Sequence, residues 1–367
     1  MLFKRNFVLA VCASVLCACG EPGSVRLGFI GGLSNQNLDN GLSGLNGVKL
    51  AVEQANRAGG IHGRPIELVV RDDTQNSAIA KAAARQLLNE RVEAVIGPFT
   101  SSMAANIVPV MAENQTLVIS PTITSMEFNG KDDNLIRINR TTRDNAHDYA
   151  ALLAQRGNPK IAIAYDLRNR NFTESWLAEF QGASKKFGNR ILTEVGYTSD
   201  DEVDFASVAK QLLASKPEAL LFISGALDVA RLAREVRVRS RDTLLVAVEW
   251  AATDSLIELG GDVVDGLVIA LNYDQDDQSP HYKAFSDAHF LRYQKRPSYS
   301  TVSAYDAATV VIEALKKQSP RQTLKDALLT GGPYQGLQQQ ISFDQYGDTN
   351  RKVYFSEIRS GKYQKIR

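Results

Sequence analysis

Residues 94–126, AVIGPFTSSMAANIVPVMAENQTLVISPTITSM, constrain the fold more than any other part of the chain. Two short apolar runs, 94–97 and 116–120, have the length and β-branched content of buried strands, and 101–114 between them has the length of a helix. Two strands joined by one helix form a right-handed crossover, which makes them parallel neighbours in one sheet. Their carboxyl ends then open on the same edge, so Thr100, Ser101 and Ser102 should share a crevice with Thr122, Ile123 and Thr124.

The groups expected there bind without doing covalent work. Ser101 stands where a helix begins, and the free N–H groups of a first turn, with the positive end of the helix dipole, favour an anion such as a carboxylate. No nucleophile stands beside a base in the stretch. The same residues also allow a plainer reading, in which Ser101 caps its helix and 122–125 form a turn.

The rest of the chain repeats the pattern. Strands are predicted at 25–30 and 66–71, with a loop over 31–43 and helices over 44–58 and 77–89. Gly59-Gly60 has the chemistry of a left-handed helix cap. A second round follows 135–142, with strands at 161–165, 191–197, 219–224 and 243–248 and helices over 173–187, 205–215 and 228–239. Beyond a strand at 266–272 come helices over 282–293 and 301–317, then 341–344, a turn at 346–348 and a strand at 353–358. Alternation that restarts implies two α/β units with a cleft between them.

At the amino end, Lys4 and Arg5 precede an apolar run over 7–18, too short to span a bilayer and shaped like a signal peptide. It ends Leu16-Cys17-Ala18-Cys19-Gly20, which resembles a bacterial lipobox with Cys19 as the lipidated residue and 1–18 as the leader. Cys12 and Cys17 would leave with that leader, so the mature chain would hold one cysteine and no internal disulfide. It would carry 40 basic against 41 acidic residues, a balance that provides no field for nucleic acid.

Other constellations point nowhere definite. Gly28, Gly31 and Gly32 do not have the GxGxxG spacing of a dinucleotide loop, and Asp274, Asp276 and Asp277 lack the glycine and terminal glutamate of an EF-hand. The arginines at 231, 234, 237, 239 and 241 read as a solvated helix face. His62, His147, His281 and His289 lack metal-ligand spacing, and no Ser-His-Asp or Cys-His arrangement can be drawn. The chain is therefore expected to be no enzyme and to use no cofactor or metal.

Several ordered motifs together resemble the type I periplasmic solute-binding proteins of ABC importers, in the leucine/isoleucine/valine-binding branch. They are Gly59-Gly60-Ile61-His62-Gly63-Arg64 followed by Asp72-Asp73, the loops Ile96-Gly97-Pro98-Phe99-Thr100-Ser101 and Ile119-Ser120-Pro121-Thr122-Ile123-Thr124, and Ser298-Tyr299-Ser300 running into Tyr305-Asp306-Ala307. The resemblance implies two Rossmann-like α/β lobes with parallel central sheets joined by three hinge crossovers near Thr142, Leu271 and Val353. It places 25–141 with 272–352 in the amino-terminal lobe and 142–271 with 353–367 in the other.

It also implies roles. The ligand carboxylate would be held by Ser101 and by peptide N–H groups including that of Thr124, and the ammonium by the Thr122 carbonyl, the Thr124 hydroxyl and the Glu249 carboxylate. Thr100, Phe172, Asn40, Trp250 and Thr142 complete the expected ligand-binding set. The family's first-loop aromatic falls at Asn40, so a Leu/Ile/Val ligand does not follow. Its early disulfide is missing, because Gln75 and Thr100 occupy those positions. Arg140 could serve a second acid on the ligand or pair with an acid of the other lobe. The function implied is an exported lipoprotein, anchored at the membrane surface by lipid, that captures an amino acid or related small carboxylate and passes it to a membrane permease. The alternative on the same fold is a ligand sensor or a regulator of envelope enzymes.

Overall fold

The structure, a computed structural model, describes residues 23–34, 39–157, 159–200 and 202–366. The lipobox and Cys19 lie outside the described residues. No described helix is long and apolar enough to cross a membrane.

The first lobe begins with β1 (Val25–Gly31), α1 (Asp39–Arg57), β2 (Ile66–Asp72), α2 (Ser77–Asn89) and β3 (Ala94–Ile96). It continues through α3 (Ser101–Ala112), β4 (Leu117–Ser120) and β5 (Leu135–Arg137). The second lobe holds α4 (Thr142–Gln155), β6 (Lys160–Asp166), α5 (Arg170–Phe187), β7 (Arg190–Tyr197), α6 (Phe205–Ala214) and β8 (Ala219–Ile223). After α7 (Ala226–Arg239), β9 (Leu244–Ala247), α8 (Asp254–Gly260) and β10 (Val268–Leu271), the chain returns to the first lobe. There it forms α9 (Pro280–Tyr293), α10 (Tyr299–Lys317), α11 (Leu324–Gly331) and the small ribbon β11 (Tyr334–Gln335) with β12 (Gln340–Ile341). It closes as β13 (Tyr354–Arg359) and β14 (Lys362–Lys365) in the second sheet.

The first sheet has the order β2-β1-β3-β4-β5, parallel throughout. The second reads β7-β6-β8-β9-β10 in the same sense, then adds β13 and β14 as an antiparallel edge. Each sheet thus reverses its winding once, between β1 and β3 and between β6 and β8. Crevices for ligands form at such reversals, beyond the carboxyl ends of the strands. The chain crosses between the sheets after β5, after β10 and before β13. Two lobes, parallel central sheets and three crossovers agree with the architecture the sequence implied.

The first helix departs from that reading: it starts at Asp39, inside the span expected to be loop. DNGLSGLNGV is a poor helix former, but the glycines let its face approach other elements too closely for a side chain. A Cβ on Gly44 would lie 2.1 Å from the Phe99 ring, and one on Gly47 would lie 2.2 Å from the Thr301 carbonyl of α10. Tertiary contact, not propensity, makes this helix. Helices α4, α8 and α11 and strand β14 are further elements that local pattern did not single out. Of 341–344 only Ile341 is paired in a strand.

Two buried ion pairs tie the late segments down. Arg137 bonds Asp348 and the Ser125 carbonyl, and Arg351 lies 2.8 Å from Asp306, whose other oxygen accepts the Leu337 amide. The arginines of α7 are only partly a solvated face: Arg237 donates to the Thr243 carbonyl, Arg239 pairs with Glu235 and Arg231 lies over the Phe205 ring. The Asp274–Asp277 carboxylates mainly cap local turns, and Asp274 also meets Lys365.

Candidate functional site

The carboxyl ends of β3, β4 and β9, the first turns of α3 and α10, and the two crossovers at Asn139 and Asn272 enclose one narrow chamber of about 20 Å³. That is room for about one water, far below the roughly 300–1,000 Å³ of small-molecule sites, so a ligand can enter only if the lobes part. Its walls are Phe99, Thr100, Ser101, Thr122, Thr124, Asn139, Asn169, Phe172, Glu249, Trp250, Asn272 and Tyr299.

One side is built from the first lobe. Thr100 precedes α3 in extended conformation but makes no side-chain cap, so the plain capping reading does not hold for this helix. Its hydroxyl donates instead to Gln75 Oε1 at 3.0 Å, the two positions where the resemblance implied an absent disulfide. Ser101 is then the first helical residue, 2 % exposed, and its hydroxyl has no hydrogen-bond partner among the described residues. The two loops are locked together: the Ser120 hydroxyl donates to the Pro98 carbonyl and the Thr122 hydroxyl to the Phe99 carbonyl, each at 2.8 Å. Thr124 is held by its backbone, whose carbonyl accepts from the Thr142 amide at 2.7 Å, while its own buried Oγ1 is unpartnered.

The other side comes from the second lobe. Glu249 begins a short 3₁₀ turn after β9 and is 4 % exposed. Asn145 of α4 donates to its Oε1 at 2.7 Å, and Oε2 is unpartnered. Burial pushes the Glu249 carboxyl above its ordinary range, and its hydrogen bonds and the Arg140 guanidinium pull back less strongly. Tyr149 supports this corner by accepting from the Ala270 amide and donating to the Ala247 carbonyl. Phe172 meets Trp250 edge to face at 5.7 Å between ring centres.

The lobes also touch around the chamber. Asn169 Oδ1 accepts from the Ser102 amide at 3.1 Å, Asn171 meets Ser102 and Glu127 at 2.9 and 2.6 Å, and Ser175 accepts from the Met126 amide at 3.0 Å. The arrangement can therefore close over a small zwitterion, with a helix amino terminus for an anion and a buried carboxylate for a cation.

Of the residues expected from sequence, Ser101, Thr100, Thr122, Thr124, Glu249, Phe172 and Trp250 line this chamber together. Asn40 lies in an adjoining chamber, and Thr142 lines neither; its hydroxyl faces Ser175 at 2.9 Å. Arg140 pairs with Asp148 at 2.8 Å, an acid on the first helix of the second lobe. Sequence reasoning missed Asn139, Asn169 and Asn272, since isolated asparagines in connecting segments carry no local signal. Asn272 is 5 % exposed with both amide atoms unpartnered, and Asn139 donates to the Pro121 carbonyl while its oxygen is unpartnered.

Comparison with known proteins agrees with this fold. The leucine-, isoleucine-, valine-, threonine- and alanine-binding protein of Pseudomonas aeruginosa is 24% identical over 306 residues, covering 82% of this chain and 81% of its own. The Leu/Ile/Val-binding protein of Escherichia coli K12 is 24% identical over 355 residues, covering 95% and 94%. Among solved structures, a leucine-binding protein from Thermotoga maritima superposes with a TM-score of 0.86 at 20% identity, covering 94% of this chain and 98% of that one. A solute-binding protein of R. palustris in complex with benzoate gives 0.84 at 18%, covering 94% and 96%. Residues 24–362 match the family model described as periplasmic binding protein, and the chain belongs to that family.

Proposed function

We propose that this protein captures an α-amino acid between its lobes and delivers it to the membrane permease of an ABC importer, with Cys19 carrying a lipid anchor. The carrying observation is the placement of unpartnered buried polar groups in one chamber. Thr124 Oγ1 and the Asn272 amide are unpartnered there, beside the free Ser101 hydroxyl and the buried Glu249 carboxylate, which Asn145 and the Trp176 indole approach from behind. Leaving such groups unpaired costs about 1–3 kcal/mol each, so a site that keeps several of them at one place is built to have them satisfied by something bound.

The expected pairing divides the ligand's two charges between the lobes. The Ser101 hydroxyl and amide, at the amino terminus of α3, take the carboxylate, the Ser102 amide being held by Asn169; Thr124, the Thr122 carbonyl and Glu249 take the ammonium. Each charge-assisted bond contributes about 1.5–3 kcal/mol once water is excluded. Because Glu249 is reached from the second lobe, binding draws the lobes together, with the three crossovers as hinges. The relatives named for branched-chain and small amino acids support the amino-acid reading, and the benzoate-bound neighbour marks a carboxylate without an amine as the competing ligand.

Differential scanning fluorimetry against amino acids and small carboxylates tests it. A true ligand at 100 times its Kd adds about 2.7 kcal/mol to stability, a shift of several degrees. Stabilisation by benzoate-like acids but by no amino acid would overturn the amino-acid reading. Cys19→Ser, with fractionation of cells into membrane and soluble pools, tests the anchor: the replacement should release the protein from the membrane pool.

A further inference from the structure

The amino-acid chamber does not end at Trp250. Phe99, Thr100, Asn169 and Trp250 also line a second chamber, of about 170 Å³, whose remaining walls are Gly32, Asn40, Gly41, Gln75, Asp166 and Arg168. A ligand whose charged backbone sits against Ser101 and Glu249 has this space for its side chain. Among the described residues lining either chamber there is no leucine, isoleucine, valine or methionine, and the apolar surface comes from four aromatic rings. An aliphatic side chain would leave the polar far end unsatisfied.

That far end has a definite hydrogen-bonding character. Arg168 is held side-on by the buried Asp166, through Nε and Nη2 at 3.3 and 3.2 Å from Oδ2, and Asp166 Oδ1 accepts the Arg168 and Ser199 amides. Its charge is therefore already balanced, and among the described residues no acceptor meets its Nη1. Gln75 is partly engaged, one amide N–H donating to Asp73 and its oxygen accepting from Thr100. Asn40, 9 % exposed, faces Tyr299 with its amide and keeps a buried, unpartnered Oδ1. The chamber thus offers donors without a surplus charge, at Arg168 Nη1 and the Asn169 amide, and one buried acceptor in want of a donor, Asn40 Oδ1. A carboxamide supplies both an acceptor and a donor; a carboxylate supplies only acceptors.

The geometry points to an amino acid with a side-chain carboxamide, glutamine or asparagine, as the ligand, with Arg168 and Asn40 as the specificity-determining residues. This rests on the amino-acid reading given above and narrows it. A site built around such polar groups rejects analogues that leave them unpaired far more strongly than an apolar slot rejects a missing methylene.

Isothermal titration of the purified full chain with glutamine, asparagine, glutamate, leucine and valine separates the outcomes. Glutamine or asparagine should bind at least tenfold tighter than leucine, valine and glutamate. Asn40→Leu and Arg168→Met should each lower glutamine affinity by tenfold or more and leave leucine affinity within about threefold, with the melting temperature of each variant recorded to verify folding; Asn40→Ser provides a second, smaller change at the same place. Tighter binding of leucine or valine overturns this inference while keeping the amino-acid reading. Tighter binding of glutamate overturns the carboxamide assignment. Binding of none of the five, with a small carboxylate still bound, removes the amino-acid reading and this inference with it. An unchanged glutamine-to-leucine ratio in folded variants of both positions also overturns it.

Discussion

Replacing Glu249 by glutamine should weaken the protein's grip on its ligand while leaving the empty protein as stable as before or more so. The opposite signs follow from one cause. Glu249 is 4 % exposed and its carboxyl is pushed upward, first by burial, so at neutral pH the fold carries a charge it disfavours. A folded pKa above the unfolded 4.5 means that protonation stabilises the fold: this contribution is gained as pH falls through the folded value and lost above it. Glutamine mimics the protonated form and still accepts from Asn145 through Oε1. The bound amine reverses the balance, since it supplies the counter-charge that burial lacks. Losing that charge-assisted bond costs about 1.5–3 kcal/mol, or about 10- to 150-fold in Kd. Titration calorimetry at pH 8 with the best amino acid, and with its analogue lacking the amine, reads the difference directly. Equal losses for both ligands, or a lower melting temperature of the empty variant without any loss of amine selectivity, would refute the role given to Glu249.

Further expectations follow from the same geometry. Affinity for an amine-bearing ligand should fall as pH drops through the raised Glu249 pKa, because a protonated carboxyl cannot pair an ammonium, and binding there should release protons; calorimetry in two buffers of different ionisation enthalpy measures this. Burial lifts the Asp73 carboxyl to about 6, so its contribution to stability is present at low pH and lost as pH rises toward 6. Asp73→Asn should flatten the melting-temperature curve between about pH 4 and pH 6 and remove up to about 3 kcal/mol of pH dependence. Arg351→Met leaves Asp306 buried and unpaired and should cost about 3–5 kcal/mol in urea denaturation. Gly47→Ala places a methyl against the Thr301 carbonyl at 2.2 Å and should cost about 1–3 kcal/mol, with α1 and α10 forced apart.

Much of the architecture was legible in the chain because parallel α/β sheets write themselves locally. A buried strand is a short β-branched run, a covering helix follows it, and handedness allows essentially one way to join them. Residues 94–126 alone imply two strand tips at one crevice, and the structure brings Ser101, Thr122 and Thr124 together there. Glu249 was readable only through the family resemblance, since a single acid after a strand is otherwise ordinary. Only the start of the first helix was misplaced, because Asp39-Asn40-Gly41 reads as loop, whereas Gly41 is small for the sake of the Gly32 carbonyl, which a Cβ would meet at 2.0 Å.

The sequence by itself determined the alternation, the crossovers and the chemistry of the two hydroxyl loops, since each depends on neighbours a few residues apart. Tertiary structure alone decided which asparagines line the chamber, that α4 supplies Asn145 to hold Glu249, that Arg140 pairs with Asp148, and that Gln75 and Thr100 meet through a hydrogen bond. Those contacts join segments separated by 25 to more than 100 residues or depend on which way a connecting segment turns. Burial then changes what each group can do: the same glutamate that would be an ordinary solvated acid on a loop becomes, inside a dry chamber, a charge in need of a partner.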